Sequence, residues 1–196
     1  MKINKLKIFI FFNFIIVLIA IFIFGFIKGI ATGGDSGFYI ASSENIINWL
    51  FNKKNLSNFN FFYSGYIFLV TLSKIILSNQ WQIVLLFFHA LIISFASFSL
   101  YLLLIKLCPD LNKFFLCIVS FILPIFNPDI LILSSYVLSD TTFAGLSMVL
   151  TSLLILNLST LFINKIKFLF FLPLIILYVL FRPDGISWLV SAILLL

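Results

Sequence analysis

Carboxylates and one arginine follow different apolar segments of this chain. Asp35 lies in the glycine-rich stretch Gly33-Gly34-Asp35-Ser36-Gly37, directly after the first apolar segment, whereas Asp140 and Arg182 follow later ones. A carboxylate can take a proton from a hydroxyl or coordinate a cation, and an arginine can hold a phosphate in its planar fork. The pattern therefore predicts a membrane-surface site for a lipid-linked phosphate and a polar acceptor. For Asp35 the alternative is that it caps a helix beginning at Phe38.

The other acids of these loops are weaker candidates. Glu44 lies in the first loop, Asp129 in the second, and Asp184 two residues after Arg182. An acid beside a membrane segment is costly to place and often functional. The alternative is a solvated loop position, and we favour that interpretation for Glu44 and Asp184.

The sequence contains no spacing typical of a protein-bound metal or a nucleotide phosphate loop. The two cysteines, Cys108 and Cys117, flank one short loop and are interpreted as apolar filling. His89 is the single histidine, and a lone histidine in an apolar helix is more often packed and hydrogen-bonded than a proton relay. We predict no protein metal site and name no cofactor, with a divalent cation held by the loop acids as an open alternative.

Composition indicates a membrane protein. Of 196 residues, 63% are hydrophobic and 9% charged, and the mean hydropathy is +1.28, whereas soluble domains average about a quarter charged residues. Several apolar runs reach or approach the roughly 20 residues that span a bilayer. We predict an all-α, polytopic membrane protein with five to six transmembrane helices in a single domain, residues 1–196.

Lysines at the segment ends account for the net charge of +6. Such clusters set orientation in a membrane, so the charge does not indicate nucleic-acid binding. Lys2, Lys5 and Lys7 place the N-terminus in the cytoplasm, and we predict a bacterial inner (plasma) membrane. The predicted spans are Ile8 to Ile27, Gln82 to Ile105, Phe114 to the Pro124/Pro128 region, Thr141 to Ile163, and Phe168 to Phe181.

The first outer loop is predicted to contain an interfacial amphipathic helix around Phe38 to Leu50, with Trp49 at the level of the headgroups. Whether the next apolar stretch, Phe61 to Ser78, crosses the membrane decides the topology. If it crosses, Asp35 and Asp140 lie on opposite sides. If it does not, they share the outer face, and the distribution of lysines favours this second arrangement.

The last apolar stretch ends at Leu196 without a polar or basic flank. Natural ends of membrane helices carry interfacial or charged residues. We therefore expect the chain to be the N-terminal part of a larger protein.

Four motifs together resemble a known family. They are Asp35-Ser36-Gly37-Phe38-Tyr39-Ile40-Ala41, Phe62-Tyr63-Ser64-Gly65-Tyr66-Ile67-Phe68, Tyr136-Val137-Leu138-Ser139-Asp140-Thr141-Thr142-Phe143 and Phe181-Arg182-Pro183-Asp184-Gly185. Their order resembles that of the GT-C glycosyltransferases, in the branch of the protein O-mannosyltransferases and lipid A aminoarabinose transferases. Ser36 stands where this family often has a second acid.

The resemblance implies an enzyme that uses a polyprenyl- or dolichyl-phosphate sugar donor. It implies inverting transfer at the outer face, to a protein, lipid or glycan acceptor among the membrane lipids. It also implies Asp35 as the catalytic base. We further predict Asp140 as a catalytic residue, and Tyr39, Glu44, Arg182 and Asp184 as substrate contacts. The alternatives are a transporter or flippase-like permease whose pathway is lined by the same acids, and a non-catalytic, truncated membrane subunit.

Overall fold

The computed structural model describes residues 2–53 and 63–161, and residues 173, 175–176, 178–182, 186 and 190. Within these ranges the chain is helical, with no strand beyond one isolated bridge. Seven helices have defined bounds within the described residues, namely α1 (Lys2–Lys28), α2 (Ser36–Asn52), α3 (Ser64–Ile76), α4 (Trp81–Leu107), α5 (Lys113–Phe126), α6 (Pro128–Ser134) and α7 (Ser139–Leu161).

Three of these helices are long and apolar enough to cross a membrane, and they contain Lys5–Lys28, Trp81–Leu107 and Ser139–Leu156. The α5–α6 pair makes a fourth candidate if the two bent halves count as one span. The all-helical class is thus confirmed, but the described residues contain three or four such helices and not five to six. Half of the predicted span from Phe168 to Phe181 lies outside the described residues.

Helix α4 is the central helix of the bundle. Helix α1 packs against it in the antiparallel sense, since Phe14 contacts Phe95 with ring centroids 5.2 Å apart and Gly25 lies against Leu86. Helix α7 packs in the parallel sense, since its Gly145 contacts Ile92 and the Lys106 ammonium donates to the Ile155 carbonyl further along both helices. The start of α4, the end of α1 and the start of α7 therefore lie at one end of the bundle, which we call the loop end.

Helix α3 bears on the topology of the Phe61 to Ser78 stretch. It has 13 residues, and at 1.5 Å per residue it measures about 20 Å, short of the roughly 30 Å hydrocarbon core. Its Lys74 ammonium lies 5.4 Å from the ring centroid of Trp81, the first residue of α4. Helix α3 thus ends at the loop end, where α1 also ends, and this geometry favours the non-spanning alternative.

Helix α2 covers the segment in which an amphipathic helix is predicted. It starts earlier and ends later than expected, with Tyr39 and Ser43 buried and Trp49 half-exposed. The helix itself is therefore present. Its placement in the membrane interface stays a prediction.

The break between α5 and α6 has a local cause. The two helices are bent by 59°, and Asn127 stands between them. The Asn127 side chain accepts a hydrogen bond from the Asp129 N–H, and Pro128 occupies the first position of α6, where a proline is tolerated. Pro124 lies inside α5 and removes one backbone donor there. These residues end one helix and begin the next, beside the middle of α4 and α7 at Leu100 and Met148.

Candidate functional site

Two loops that are distant in sequence are joined at the loop end. Ala31, after α1, donates its N–H to the Ser135 carbonyl at 2.9 Å and accepts from the Val137 N–H at 3.2 Å. These bonds form a parallel bridge between Ala31 and Tyr136. Residues 135–138, which we call the α6–α7 link, lead directly into α7, whose second residue is Asp140. The bridge therefore brings the loop of Asp35 to the start of α7.

Ser36 fixes the turn that carries Asp35. Its side chain is buried, and its Oγ lies 2.9 Å from the Val137 carbonyl and 2.8 Å from the Gly33 carbonyl. The same oxygen accepts a hydrogen bond from the Gly33 N–H at 3.0 Å. Gly34 has a φ of +52°, a conformation that favours glycine. Ser36 thus holds the loop in place.

Neighbouring substitutions test this role of Ser36. Ser36→Ala is expected to lower the free energy of unfolding by about 1–3 kcal/mol, since it leaves the buried Val137 carbonyl without the hydroxyl. Gly37→Ala is expected to raise it by up to about 1 kcal/mol, because a methyl group there meets no atom within 4 Å and alanine favours helix. Thermal unfolding of the full-length protein in detergent measures both, and equal midpoints for the two variants would contradict the assignment.

Asp35 is exposed at the N-terminus of α2. It occupies the N-cap position, but its side chain accepts no capping hydrogen bond, and the helix begins at Ser36 and not at Phe38. The capping alternative is therefore wrong for the side chain. Within the described residues the Asp35 carboxylate forms no hydrogen bond or ion pair, so it is available to a ligand.

Asp140 and Arg182 form an ion pair. Asp140 lies in the first turn of α7, and the Arg182 guanidinium donates a hydrogen bond to its Oδ1. Both side chains are about one-third exposed, at 37% and 35% respectively. The guanidinium also lies 5.8 Å from the ring centroid of Phe143, and this ring stacks on Tyr178 at 4.5 Å. The arginine is therefore held between a carboxylate and an aromatic surface. Asp184 lies outside the described residues.

Tyr39 lies close to both predicted catalytic acids. Its hydroxyl is 3.2 Å from the Ser139 Oγ. Burial raises the pKa of Tyr39, the Ser139 hydrogen bond lowers it, and the charges of Tyr63, Asp35 and Asp140 raise it further. Since Tyr39 follows Asp35 by four residues and its hydroxyl meets Ser139, which precedes Asp140, the structure brings the loops of Asp35 and Asp140 into the same neighbourhood.

Behind Tyr39 lies a buried polar contact that sequence reasoning did not find. The Tyr66 ring packs edge-on against Tyr39 at 4.9 Å, and its hydroxyl lies 3.4 Å from Nε2 of His89. The His89 Nδ1 lies 2.9 Å from the Ser134 carbonyl, which can only accept, so the neutral ring donates there and offers Nε2 to Tyr66. His89 is thus a packed, hydrogen-bonded residue that anchors the end of α6 near the α6–α7 link.

Glu44 has a partner within the chain. Its carboxylate pairs with the Lys74 ammonium at 3.0 Å, and Lys74 also donates to the Ile40 carbonyl at 3.1 Å. This contact joins α2 to α3. The substrate-binding role predicted for Glu44 therefore has a structural alternative.

Candidate metal ligands are sparse. In the part of the chain that the structure describes, no group of three or more His, Cys, Asp or Glu side chains could hold a metal ion. Cys108 and Cys117 are free thiols. Any divalent cation at this site would need ligands from a substrate or from outside the described residues.

An apolar cavity of about 540 Å³ includes in its lining Phe181, the residue that precedes Arg182. Its walls come from α2, α3, α4 and α7, with Leu180 and Phe181 at one side, and Phe181 directly precedes Arg182. The volume is in the range of pockets that hold small molecules, roughly 300–1,000 Å³. The cavity is thus linked through the chain, from Phe181 to Arg182, to the Asp140–Arg182 ion pair.

Comparison with protein-family models, characterised proteins and solved structures found no match for this chain. The resemblance to GT-C glycosyltransferases therefore rests on the four motifs alone, and the function that it implies is a proposal.

Proposed function

We propose that this chain carries the donor site of a membrane glycosyltransferase, which transfers a sugar from a polyprenyl-phosphate donor to an acceptor at the outer face of the membrane. The observation that carries the proposal is the position of Arg182. Phe181, the residue before it, lines an apolar cavity, and the Arg182 guanidinium pairs with Asp140 at the start of α7, close to the loop of Asp35. A donor with a hydrocarbon tail and a phosphate head could place the tail in the apolar cavity and the phosphate at Arg182.

The donor's two parts would use different interactions. The hydrocarbon tail would bind in the cavity, where residues such as Phe68 and Leu146 line the wall. Binding there is favourable because it removes apolar surface from water. The phosphate accepts charge-assisted hydrogen bonds from Arg182, which presents several donors in a fixed plane. Because Arg182 is one-third exposed, a ligand can reach it from solvent.

Asp35 is the proposed general base. Glycosyl transfer passes through an oxocarbenium-like state, and inversion needs a carboxylate that takes the acceptor's proton on the face opposite the leaving phosphate. The Asp35 carboxylate is exposed and has no capping hydrogen bond to give up. The proton moves from the acceptor hydroxyl to Asp35, the new C–O bond forms, and the sugar–phosphate bond breaks.

Asp140 receives a different role from that of a second catalytic acid. Its carboxylate is engaged by Arg182 before any donor is present. We propose that Asp140 positions the guanidinium of Arg182. The donor phosphate then competes with the Asp140 carboxylate for the N–H groups of that guanidinium. Tyr39 is buried and its hydroxyl is engaged by Ser139, so we propose that it positions the start of α7 and does not contact the sugar itself.

The test is a transfer assay with the full-length protein in proteoliposomes. The probes are radiolabelled mannose and aminoarabinose, each linked to undecaprenyl phosphate, in vesicles that contain extracted envelope lipids and proteins as acceptors. We expect protein-dependent transfer of one sugar to an acceptor, with release of undecaprenyl phosphate. Protein-dependent movement of the intact donor across the bilayer without transfer would instead identify a flippase.

A further inference from the structure

A second cavity lies on the other side of the contact between α4 and α7. It measures about 270 Å³ and is enclosed by α4, α5, α6 and α7. Ile92 lines the first cavity and Gly145 lines the second, and these two residues contact each other. The second cavity is therefore separate from the proposed donor site.

Two polar side chains line this otherwise apolar cavity. Asp129 is an exposed acid in the first turn of α6, and within the described residues its carboxylate forms no ion pair or hydrogen bond. Thr141 is 96% buried, and its Oγ1 has no hydrogen-bond partner. A buried hydroxyl without a partner costs free energy, and rotation about χ1 exchanges the positions of its oxygen and methyl group. Thr141 can thus offer its oxygen to a ligand in the cavity.

The remaining walls suit a hydrocarbon chain. Thr141 and Met148 are seven residues apart on α7, so the cavity extends about 10 Å along that helix at 1.5 Å per residue. A neighbouring cavity of about 500 Å³ shares Pro124, Ile130 and Met148 with it. That neighbour is lined by Phe126, which is 76% exposed on the outside of the bundle. A chain can therefore enter from the lipid side.

We propose that this second cavity binds a single-chain amphiphile with a primary-amine head group. The carboxylate of Asp129 attracts the ammonium and accepts its hydrogen bonds, and Thr141 accepts another. A divalent cation is a poorer occupant, because one carboxylate and one hydroxyl fall short of the six to eight oxygens that Ca²⁺ prefers, and hydrocarbon walls cannot hold its water shell. An anionic lipid head group would be repelled by Asp129.

Photo-crosslinking of the full-length protein in phosphatidylcholine nanodiscs tests the proposal. The probes are dodecylamine and dodecanol, each with a diazirine in the middle of its chain, and labelled residues are mapped by mass spectrometry. We expect the amine to label Ile93, Leu133 and Met148 at least about tenfold more than the alcohol does, as a charge-assisted bond implies. Equal labelling by the two probes would overturn the proposal.

Variants assign the labelling to the cavity. Asp129→Asn is expected to reduce labelling by the amine to that by the alcohol, and Thr141→Val is expected to reduce it several-fold. Asp110→Asn is the matched control. Asp110 is an exposed acid in the loop that precedes α5, and its substitution should leave labelling unchanged. Amine labelling that persists in Asp129→Asn would refute the role of the carboxylate. Both results are independent of sugar transfer, so they leave the proposed function untouched.

Discussion

Replacing Asp35 by asparagine is expected to lower sugar transfer by about 10²-fold or more, because general base catalysis contributes roughly 10²–10⁴-fold. Asparagine keeps the size of the side chain but cannot accept the acceptor's proton. The loop should be unaffected, since it is held by Ser36 and by the bridge at Ala31, and not by the Asp35 carboxylate.

The initial rate of transfer by the full-length protein measures this effect, with donor binding determined separately. Asp110→Asn is again the matched control, as an exposed acid remote from the loop end. Donor affinity should stay within about twofold in both variants, since neither substitution touches Arg182. Full turnover by Asp35→Asn would exclude Asp35 as the base and favour the transporter alternative.

The second large effect concerns Arg182. Arg182→Ala is expected to weaken the binding of farnesyl phosphate by about 10- to 100-fold, because it removes a charge-assisted hydrogen bond to phosphate. Arg182→Lys should recover only part of the affinity, since an ammonium cannot reproduce the planar fork. Isothermal titration calorimetry of the full-length protein in non-ionic detergent measures each dissociation constant, and farnesol serves as the ligand without phosphate.

Asp140→Asn gives the opposite expectation. If Asp140 competes with phosphate for the guanidinium, its neutralisation should leave affinity unchanged or tighten it by up to about fivefold, as expected for a partly exposed pair. A loss equal to that of Arg182→Ala would show that the pair is needed intact. Unchanged affinity of Arg182→Ala for farnesyl phosphate would show that Arg182 does not bind the phosphate.

The helices were predictable because their signals are local. Apolar runs with lysines at their ends mark α1 and α4, and Pro124 and Pro128 mark the region of the bend after α5. The boundary of α2 was less accurate, because Ser36 hydrogen-bonds to the distant Val137 carbonyl and fixes where the helix begins. Such a partner leaves no periodic pattern in the sequence.

The candidate site was predictable only in its charged members. Asp140 and Arg182 stand out in an apolar chain, but nothing in their spacing specifies that they pair, since their contact depends on how α7 packs. Tyr66 and His89 were missed as partners because one aromatic and one histidine on separate helices carry no shared motif. For Glu44 the sequence suggested a solvated acid or a ligand contact, and the structure supplies Lys74.

The bridge between the first loop and the α6–α7 link has a consequence for biosynthesis. Ser36 and its partner Val137 are 101 positions apart, with five helices formed between them. As the chain is synthesised and inserted from its N-terminus, α1 reaches the membrane long before the link exists. The hydrogen bond from Ser36 to Val137 can therefore form only after the α6–α7 link has been synthesised. Until then, Ser36 can bond only within its own turn, to Gly33. Substitutions in the link should consequently act late in assembly, after the first helices have already been accepted by the membrane.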